Sequence, residues 1–236
     1  MTDTVGDRFP PRNGVSTGEF ASAAMKIPDC YAIVPAAGFS RRMAGRHKLL
    51  LPWDDCLVID HVLRAWTNSR VRRVVVVVRR DDSELRDACG RWPVDVVQPP
   101  FDPPDMKASV RHAIGHILAA YQPQPADRWL MAPADIPTLS TDVIDHVIAA
   151  SGATDAVVIP RFGHRSGHPA SFPWKLASAV DTIPDDQGIK WLADNHAAEW
   201  LDLPAAERPE DIDTPDDYAR LKRNRGKRMD DIPDTP

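Results

Sequence analysis

The sequence has few cysteines and no cationic excess, and both features exclude classes of protein. Its three cysteines among 236 residues form no CxxC pair, so they predict neither a disulfide framework nor a cysteine-based zinc site. A reducing cytoplasm fits them best. Lys and Arg total 29 against 34 Asp and Glu, which gives a formal net charge of −5. A general nucleic-acid binder needs many cationic contacts to phosphate, so any nucleotide must be held locally.

Long apolar runs and internal repeats are also absent. The β-branched run at residues 74–78 is far shorter than the roughly 20 residues that cross a bilayer, so we expect no membrane span. The first 27 residues lack the continuous apolar segment of a secretory signal. They are predicted to be a disordered leader, with Met25 as an alternative start. Residues 223–236 are predicted to be a disordered, charged tail.

Between these ends, short apolar runs alternate with helical periodicity, as in an α/β sheet covered by helices. Strands are predicted near residues 31–34, 74–78, 94–97, 129–132 and 156–159. Helices are predicted near residues 59–68, 83–89, 106–121, 140–148, 175–180 and 188–195, with a last helix opened by Thr214. Residues 161–173 have no period. Residues 28–222 are therefore predicted to form a single three-layer α/β/α, Rossmann-like domain with a mainly parallel mixed sheet.

The turn after the first predicted strand carries the densest set of candidate phosphate ligands. Small residues let the backbone approach a phosphate and aim N–H groups at it, and cations follow where a triphosphate would lie. In chain order these residues are Ala36, Ala37, Gly38, Arg41, Arg42 and Lys48. Neither G-x-G-x-x-G nor the P-loop pattern is present, so the ordinary dinucleotide and P-loop interpretations fail. The alternative is a strand-to-helix turn with solvated cations.

Two aspartates are candidate Mg²⁺ ligands, because Mg²⁺ takes one or two carboxylates together with phosphate oxygens and water. Asp135 follows the predicted strand at 129–132, where open α/β sheets present ligands. Its alternative role is to form a turn before Pro137. Asp213 lies in an Asp-Thr-Pro sequence that also fits helix capping, so both interpretations of this residue stay open.

Five ordered segments resemble motifs of the molybdopterin nucleotidyltransferase-like family. They lie at residues 35–43 with 48–52, 106–109, 135–137, 167–169 and 211–217. The resemblance covers about residues 30–222 and is closest to the molybdenum cofactor cytidylyltransferase branch, which has Ala-Ala-Gly where the guanylyl branch tends to have Ala-Gly-Gly. Asp105 and Ala44 stand where the family usually has glycine. These two departures put the loop shape and the acceptor in question.

The resemblance implies a Mg²⁺-dependent nucleotidyltransferase that moves a nucleoside monophosphate from an NTP onto a phosphorylated acceptor. The implied donor is CTP, and the implied acceptor is molybdopterin. It implies no nucleic-acid or membrane partner and leaves open a molybdoenzyme as a further partner. The implied nucleotide-binding residues are Ala36, Ala37, Gly38, Ser40, Arg41, Lys48 and Ser109. Lys48 and Arg42 are assigned catalytic roles, and Asp135 and Asp213 bind the metal. Gly167, His168 and Pro169 form the implied acceptor pocket.

The predicted chemistry needs no dedicated general base, because a phosphate monoester already carries nearly two negative charges at neutral pH. The sequence offers no convincing nucleophile triad. Mg²⁺ and Lys48 would stabilise charge on the α-phosphate and on the leaving pyrophosphate. The alternative for Lys48 is a surface lysine before an apolar run, and for His168 a structural turn. His112 and His116 have the i, i+4 spacing of a zinc pair without a third ligand, so a solvated helix face is favoured.

Three other functions compete with this one. A sugar-phosphate nucleotidyltransferase differs only in its acceptor. A glycosyltransferase is suggested by the D-x-D pattern ending at Asp213, although its place near the C-terminus counts against it. A non-catalytic molybdopterin carrier or insertion chaperone is the third, and the presence of Lys48 and Asp135 together with Asp213 disfavours it.

Overall fold

The computed structural model describes residues 28–230, so the predicted leader and the last six residues of the predicted tail lie outside the described residues. In chain order the strands are β1 (Cys30–Pro35), β2 (Pro52–Trp53), β3 (Cys56–Leu57), β4 (Arg73–Val77), β5 (Asp95–Val97), β6 (Arg128–Met131), β7 (Val157–Phe162), β8 (Arg165–Ser166), β9 (Ala170–Pro173) and β10 (Ala198–Leu203). The helices are α1 (Val58–Thr67), α2 (Ser83–Cys89), α3 (Met106–Tyr121), α4 (Thr141–Ser151), α5 (Lys190–Asn195) and α6 (Pro215–Asp230). Among these helices none is both long and apolar enough to cross a membrane.

The main sheet has the strand order β10-β7-β9-β6-β1-β4-β5, with β8 paired to β7. Neighbouring strands β6, β1, β4 and β5 run parallel, and so do β7 and β10. Strand β9 lies between β6 and β7 and is antiparallel to both. The sheet is therefore mixed and mainly parallel, as predicted. The carboxyl ends of all the parallel strands meet at one edge, where open α/β sheets bind their ligands.

Alternate residues of the central strands face two separate cores. Ala32 and Val34 of β1 pack into the core that contains α1, α2 and α4, whereas Tyr31 and Ile33 pack into the core that contains α3 and α5. The valine run divides in the same way, with Val74, Val76 and Val78 on the first face and Val75 and Val77 on the second. Side chains alternate across a strand, so an unbroken run of valines buries both faces. The predicted three-layer architecture is confirmed.

Five strands have no predicted counterpart: the two-residue strands β2, β3 and β8, and the longer strands β9 and β10. Residues 170–173 fall in the stretch predicted to be irregular, but they form β9, and Arg128 donates from its buried guanidinium to the Ser171 hydroxyl at 2.9 Å. The pairing of β9 with β6 is long-range, and its short sequence carries no alternating pattern. Strand β10 lies at the edge of the sheet and is mostly exposed, so it lacks the apolar run that would predict a strand.

Helix ends follow the predicted capping chemistry. The Ser140 hydroxyl accepts from the Val143 N–H at 3.3 Å, and the Thr214 hydroxyl accepts from the Asp217 N–H at 3.2 Å. The segment predicted as a helix at 175–180 forms two short 3₁₀ turns instead, at Trp174–Leu176 and Ser178–Thr182. Helix α6 continues to Asp230, so regular structure runs past residue 222, where the predicted tail begins. Five of the eight residues at positions 223–230 are Arg, Lys or Met, which are good helix formers, and a charge-based prediction of disorder does not weigh this propensity.

The two departures from the family's glycines have structural accounts. The Asp105 carboxylate accepts from the Ala108 N–H at 2.7 Å, so it caps α3 at the place of the missing glycine. Ala44 adopts a φ of +52° and is followed by Gly45 at +80°. This left-handed conformation is the one that glycine tolerates best, so the backbone keeps a shape that favours glycine although the residue is alanine.

Candidate functional site

A cleft of about 620 Å³ lies at the carboxyl edge of the sheet, where the segments after β1 and β6 lie side by side. The predicted residues that line it are Ala36, Ala37, Gly38, Arg41, Arg42, Lys48, Ser109, Asp135, Gly167, His168 and Asp213. These residues come from five separate stretches of the chain, and folding brings them into one cavity. Ser40 and Pro169 do not line the cleft.

The segment after β1 lines the cleft from Ala36 to Phe39. The Ala36 N–H is paired with the Val77 carbonyl at 2.9 Å, which fixes the start of the segment against β4. The next four N–H groups, from Ala37 to Ser40, have no acceptor among residues 28–230. A Cβ atom added to Gly38 would meet no atom within 4 Å, so the space beside it is open. Successive N–H groups beside open space form an anion-binding concavity.

Ser40 has a different place from the predicted one. Its hydroxyl accepts from the Lys48 N–H at 3.2 Å, and its carbonyl accepts from the Met43 N–H at 2.9 Å. Its φ of +50° turns the chain back toward Lys48. Because Met43 is buried, these bonds tie the glycine-containing segment to the core. Ser40 shapes the loop and fixes the backbone of Lys48, and its side chain lies outside the cleft.

Lys48 connects the two predicted metal ligands. Its ammonium contacts the Asp135 carboxylate, lies 3.9 Å from Asp213 Oδ1 and donates to the Ile212 carbonyl at 3.3 Å. Arg42 pairs with Asp213 at 2.7 Å. The result is a chain of four charges, Arg42, Asp213, Lys48 and Asp135, in which two cations balance two carboxylates. Side chains of Lys48 and Asp135 are each only 16% exposed, so their charges are poorly screened by water.

Backbone hydrogen bonds hold the two carboxylates together. The Ala134 N–H donates to the Pro35 carbonyl at 3.2 Å, which places the Asp135 segment beside the end of β1. The Ile212 N–H donates to the Asp135 carbonyl at 2.9 Å, so Asp213 follows directly alongside. The capping role that sequence reasoning left open for Asp213 falls instead to Thr214 and Asp217, which cap α6 by reciprocal hydrogen bonds. Asp213 is thereby left facing the cleft.

The carboxylate pair fits a divalent cation. Asp135 and Asp213 already share one positive centre, the Lys48 ammonium, so their oxygens converge on a common region. Two carboxylates from strand-end segments, beside room for phosphate oxygens and water, make the donor set that Mg²⁺ prefers. A divalent ion bound by both carboxylates would have to share them with Lys48 or displace it.

The start of α3 forms another part of the cleft lining. Ser109 lies almost fully buried on the first turn, and its hydroxyl donates to the Asp105 carbonyl at 3.3 Å. The hydroxyl oxygen keeps lone pairs that a ligand donor can use. Met106 lies beside it and is 43% exposed. Ser109 is thus in the cleft, as predicted.

The predicted acceptor residues lie between β8 and β9. The Gly167 N–H donates to the Pro160 carbonyl at 2.9 Å, and a Cβ at Gly167 would stand 2.5 Å from the Phe162 ring. Glycine is therefore required there by contact with Phe162. Burial lowers the pKa of the His168 imidazole, although a hydrogen bond to the backbone of Met131 and the charge of Asp135 act in the opposite direction. Pro169 follows through a cis peptide bond and is buried.

Several cleft groups were missed by the sequence analysis. Phe39 is half-exposed, with the Arg79 guanidinium 4.5 Å and the Arg41 guanidinium 5.2 Å from its ring centre. Arg208 lines the cleft just before the Asp211 motif. Little in the sequence indicates either residue. Phe39 occupies a variable position of the motif, and Arg208 is a lone cation between prolines and acids.

A buried carboxylate supports Arg79 and the lysine segment. Asp82 accepts from Arg79 at 3.1 Å and contacts His47 Nε2 at 2.8 Å. Burial raises the pKa of Asp82, but the His47 hydrogen bond and the neighbouring charges outweigh it, so the net shift is downward. Because His47 immediately precedes Lys48, this cluster anchors the lysine to the start of α2.

Two other groups of possible metal ligands lie outside the cleft. His116 Nε2 pairs with Asp95 at 2.9 Å and His112 is exposed, so the i, i+4 histidine pair belongs to the helix surface and its neighbours. Ligand atoms of Asp55, Cys56 and His61 lie within 4.8 Å of one another at the β2–β3 hairpin. Burial raises the pKa of the Cys56 thiol, which disfavours the thiolate that binds metal.

Comparison with known proteins agrees with this geometry. Residues 32–200 match the family described as the MobA-like NTP transferase domain. A molybdenum cofactor guanylyltransferase of Shewanella loihica is 27% identical over 129 residues, which are 55% of this chain and 60% of that protein. The chain thus spans about 60% of the length of this curated relative.

Solved structures share the fold. The crystal structure of Rv0371c from Mycobacterium tuberculosis H37Rv superposes with a TM-score of 0.68 at 24% identity, covering 83% of this chain and 98% of that one. A nucleotidyl transferase from Methanothermobacter gives 0.69 at 21% identity, covering 85% and 99%. The family match covers most of the described residues and includes the cleft segments from β1 to His168. The chain therefore belongs to the MobA-like NTP transferase family.

Proposed function

We propose that this enzyme transfers a nucleoside monophosphate from an NTP, with CTP favoured, to the phosphate of a molybdopterin-type acceptor and releases pyrophosphate. The observation that carries the proposal is the charge chain in the cleft, where Lys48 joins Asp135 and Asp213 beside residues 37–39, whose N–H groups have no acceptor in the described part of the chain. This arrangement places donors for phosphate oxygens next to carboxylates suited to a divalent cation.

The reaction follows from the charges in the cleft. An acceptor phosphate oxygen forms a bond to the α-phosphorus of the NTP, and the bond from that phosphorus to the bridging oxygen breaks. The electron pair leaves with pyrophosphate. Backbone N–H groups of the Gly38 segment hold the triphosphate, and Lys48 and Arg42 stabilise the charge that grows on the leaving group. No general base is required, because the attacking phosphate is already an anion at neutral pH.

We propose that Asp135 and Asp213 hold Mg²⁺. Bound there, the ion would neutralise charge on the phosphate oxygens of the donor. The Rv0371c structure has also been determined in complex with manganese, which supports a divalent ion in a fold of this kind. With the triphosphate held beside the Gly38 segment, the Lys48 ammonium would turn from the two carboxylates toward a phosphate oxygen.

The preference for CTP rests on Ala36, Ala37 and Gly38, the Ala-Ala-Gly sequence that resembles the cytidylyl branch. A structural neighbour, CMP:2-keto-3-deoxy-manno-octonic acid synthetase, was solved with CTP, whereas the curated relative is a guanylyltransferase. The relative turnover with CTP and GTP therefore tests the proposed base preference directly.

The test is pyrophosphate release by the purified full-length protein with each of the four NTPs, Mg²⁺ or Mn²⁺, and either molybdopterin or a sugar 1-phosphate. We expect release with CTP and molybdopterin, and at least tenfold less with GTP. Equal or faster turnover with GTP would reverse the base assignment. Preference for the sugar phosphate would reassign the acceptor, and no release under any of these conditions would refute the proposal.

A further inference from the structure

Arg208 is a cleft cation with no role in the chain of charges around Lys48. We propose that Arg208, together with His168 and Ser166, forms a second anion subsite that binds the phosphomonoester group of the acceptor. This inference rests on the proposed function and identifies the part of the cleft that holds its second substrate. All three residues line the same cavity as Asp135 and Asp213.

The first argument is the charge balance of the cleft. Arg42 and Lys48 have carboxylate partners, Asp213 and Asp135. Within residues 28–230, Arg208 has no ion pair and no hydrogen bond from its side chain, and its Nε is enclosed without a partner. An N–H group that is removed from water, like this Nε, costs free energy unless it meets a hydrogen-bond acceptor. A phosphate, which can accept two parallel N–H bonds from the planar guanidinium, meets that need.

His168 adds a polar group without adding charge. Its Nδ1 is enclosed and has no partner among the described residues. Burial lowers the pKa of this imidazole, and the nearby positive charge of Arg208 acts in the same direction. The histidine is therefore neutral at pH 7 and offers hydrogen bonding to a ligand, while Arg208 supplies the charge. The exposed Ser166, on β8 and two residues before His168, also lines the cleft.

The backbone holds this subsite in a fixed place relative to the carboxylates. Arg208 follows the turn Ala205–Glu207, and its own N–H donates to the Ala205 carbonyl at 3.4 Å. Two residues later, the Glu210 N–H donates to the Thr138 hydroxyl at 2.6 Å, next to the Asp135 segment. A site that is already held in place loses little entropy when its ligand binds.

The cleft thus contains two cations without a carboxylate partner in the described chain, Arg41 and Arg208, and they come from different segments. Arg41 belongs to the loop after β1, which is suited to the triphosphate. Arg208 belongs to the segment before Asp213. A transfer between two phosphorylated substrates requires two anion positions, and Arg41 and Arg208 supply one each.

The experiment uses calorimetric titration of inorganic phosphate into the full-length protein whose donor position is filled with α,β-methylene-CTP and Mg²⁺. We expect the parent to bind phosphate and Arg208→Gln to bind it at least tenfold more weakly. Arg208→Lys, which keeps the charge without the planar fork, should lie between the two. Arg165→Gln is the matched control, since it removes an exposed cation from the neighbouring strand β8 that does not line the cleft, and its phosphate affinity should stay within twofold of the parent.

Parent-like phosphate binding by Arg208→Gln would overturn the inference. So would a parallel loss of analogue binding in that variant, because the subsite would then not be distinct from the donor position. A melting temperature near the parent's checks that the variants are folded. The measurement needs no turnover, so it can succeed or fail separately from pyrophosphate release, which tests the proposed function itself.

Discussion

Replacing Lys48 by methionine should affect metal binding and turnover in opposite directions. Methionine keeps an unbranched side chain of similar length but removes the ammonium that contacts Asp135 and lies 3.9 Å from Asp213. If the proposed metal site is right, this ammonium competes with a divalent ion for the same carboxylates in the ligand-free protein. In the reacting complex it stabilises charge on the phosphates. The variant therefore loses a competitor for the metal and a group that the reaction needs.

The size of the effect can be worked out from the ion pairs. Two unit charges about 4 Å apart interact by about 4 kcal/mol at an effective dielectric constant of 20. Asp213 is 36% exposed, and measured values for exposed pairs are about 1 kcal/mol or less, so the net competition is of the order of 1 to 2 kcal/mol. Since about 1.4 kcal/mol corresponds to tenfold in affinity, Mn²⁺ should bind Lys48→Met roughly tenfold more tightly than the parent without nucleotide. Turnover should fall by about 10²-fold or more.

The assay is electron paramagnetic resonance of free Mn²⁺ during titration of nucleotide-free protein, alongside pyrophosphate release from the same preparation. Lys175→Met is the control, because Lys175 pairs with an exposed Asp155 at 3.2 Å and lies outside the cleft. Both quantities should stay at parent values in that variant. Unchanged or weaker Mn²⁺ binding by Lys48→Met would show that the lysine does not compete with a metal ion at these carboxylates.

Three further variants test other parts of the site. Asp135→Asn should keep the parent melting temperature within a few degrees yet lose about 10²-fold or more in pyrophosphate release, and near-parent release would exclude Asp135 from the centre. Gly38→Ala should fold normally, since its added Cβ meets no atom within 4 Å, but the methyl group would stand where phosphate binds and raise the KM for NTP about tenfold. An unchanged KM would show that the donor does not contact this segment. Burial lowers the pKa of His168 below its usual 6.5, so its neutral form stabilises the fold above that pH, and this stability is lost as the pH falls toward the folded-state pKa. His168→Gln should therefore lose less melting temperature than the parent between pH 7 and pH 5, and an equal loss would contradict the role of burial.

Much of the fold could be predicted, because the local hydrophobic and capping patterns of its segments match the positions that these segments occupy in the folded protein. The valine run at 74–78 requires two apolar faces, and Ser140 and Thr214 mark helix starts through hydrogen bonds within one turn. Strands β9 and β10 could not be predicted, because one depends on pairing with distant β6 and the other is an exposed edge. In both cases the stabilising partner is remote in sequence.

The candidate site also has a part that could be predicted from local sequence and a part that could not. Segments with a recognisable motif, such as those of Lys48 and Asp135, line the cleft as predicted. The motif could not show that Ser40 shapes the loop, since that depends on which way a hydroxyl turns within a left-handed residue. Arg208 has no motif at all, and its place in the cleft depends on the hydrogen bond between Glu210 and Thr138. Such contacts depend on the folded backbone and leave no periodic signal in the sequence.

The antiparallel direction of β9 brings the proposed acceptor loop to the donor edge of the sheet while leaving it a separate segment of the chain. Ala170, at the amino end of β9, pairs with Met131, at the carboxyl end of β6, so the loop that leads into β9 lies at the same edge as the donor segments. A parallel strand would have sent that loop to the far edge of the sheet. Residues 163–166 can therefore be lengthened or exchanged without shifting the register of β1 or the turn that carries Lys48. A fold built in this way can acquire a new acceptor while its nucleotide chemistry is inherited unchanged.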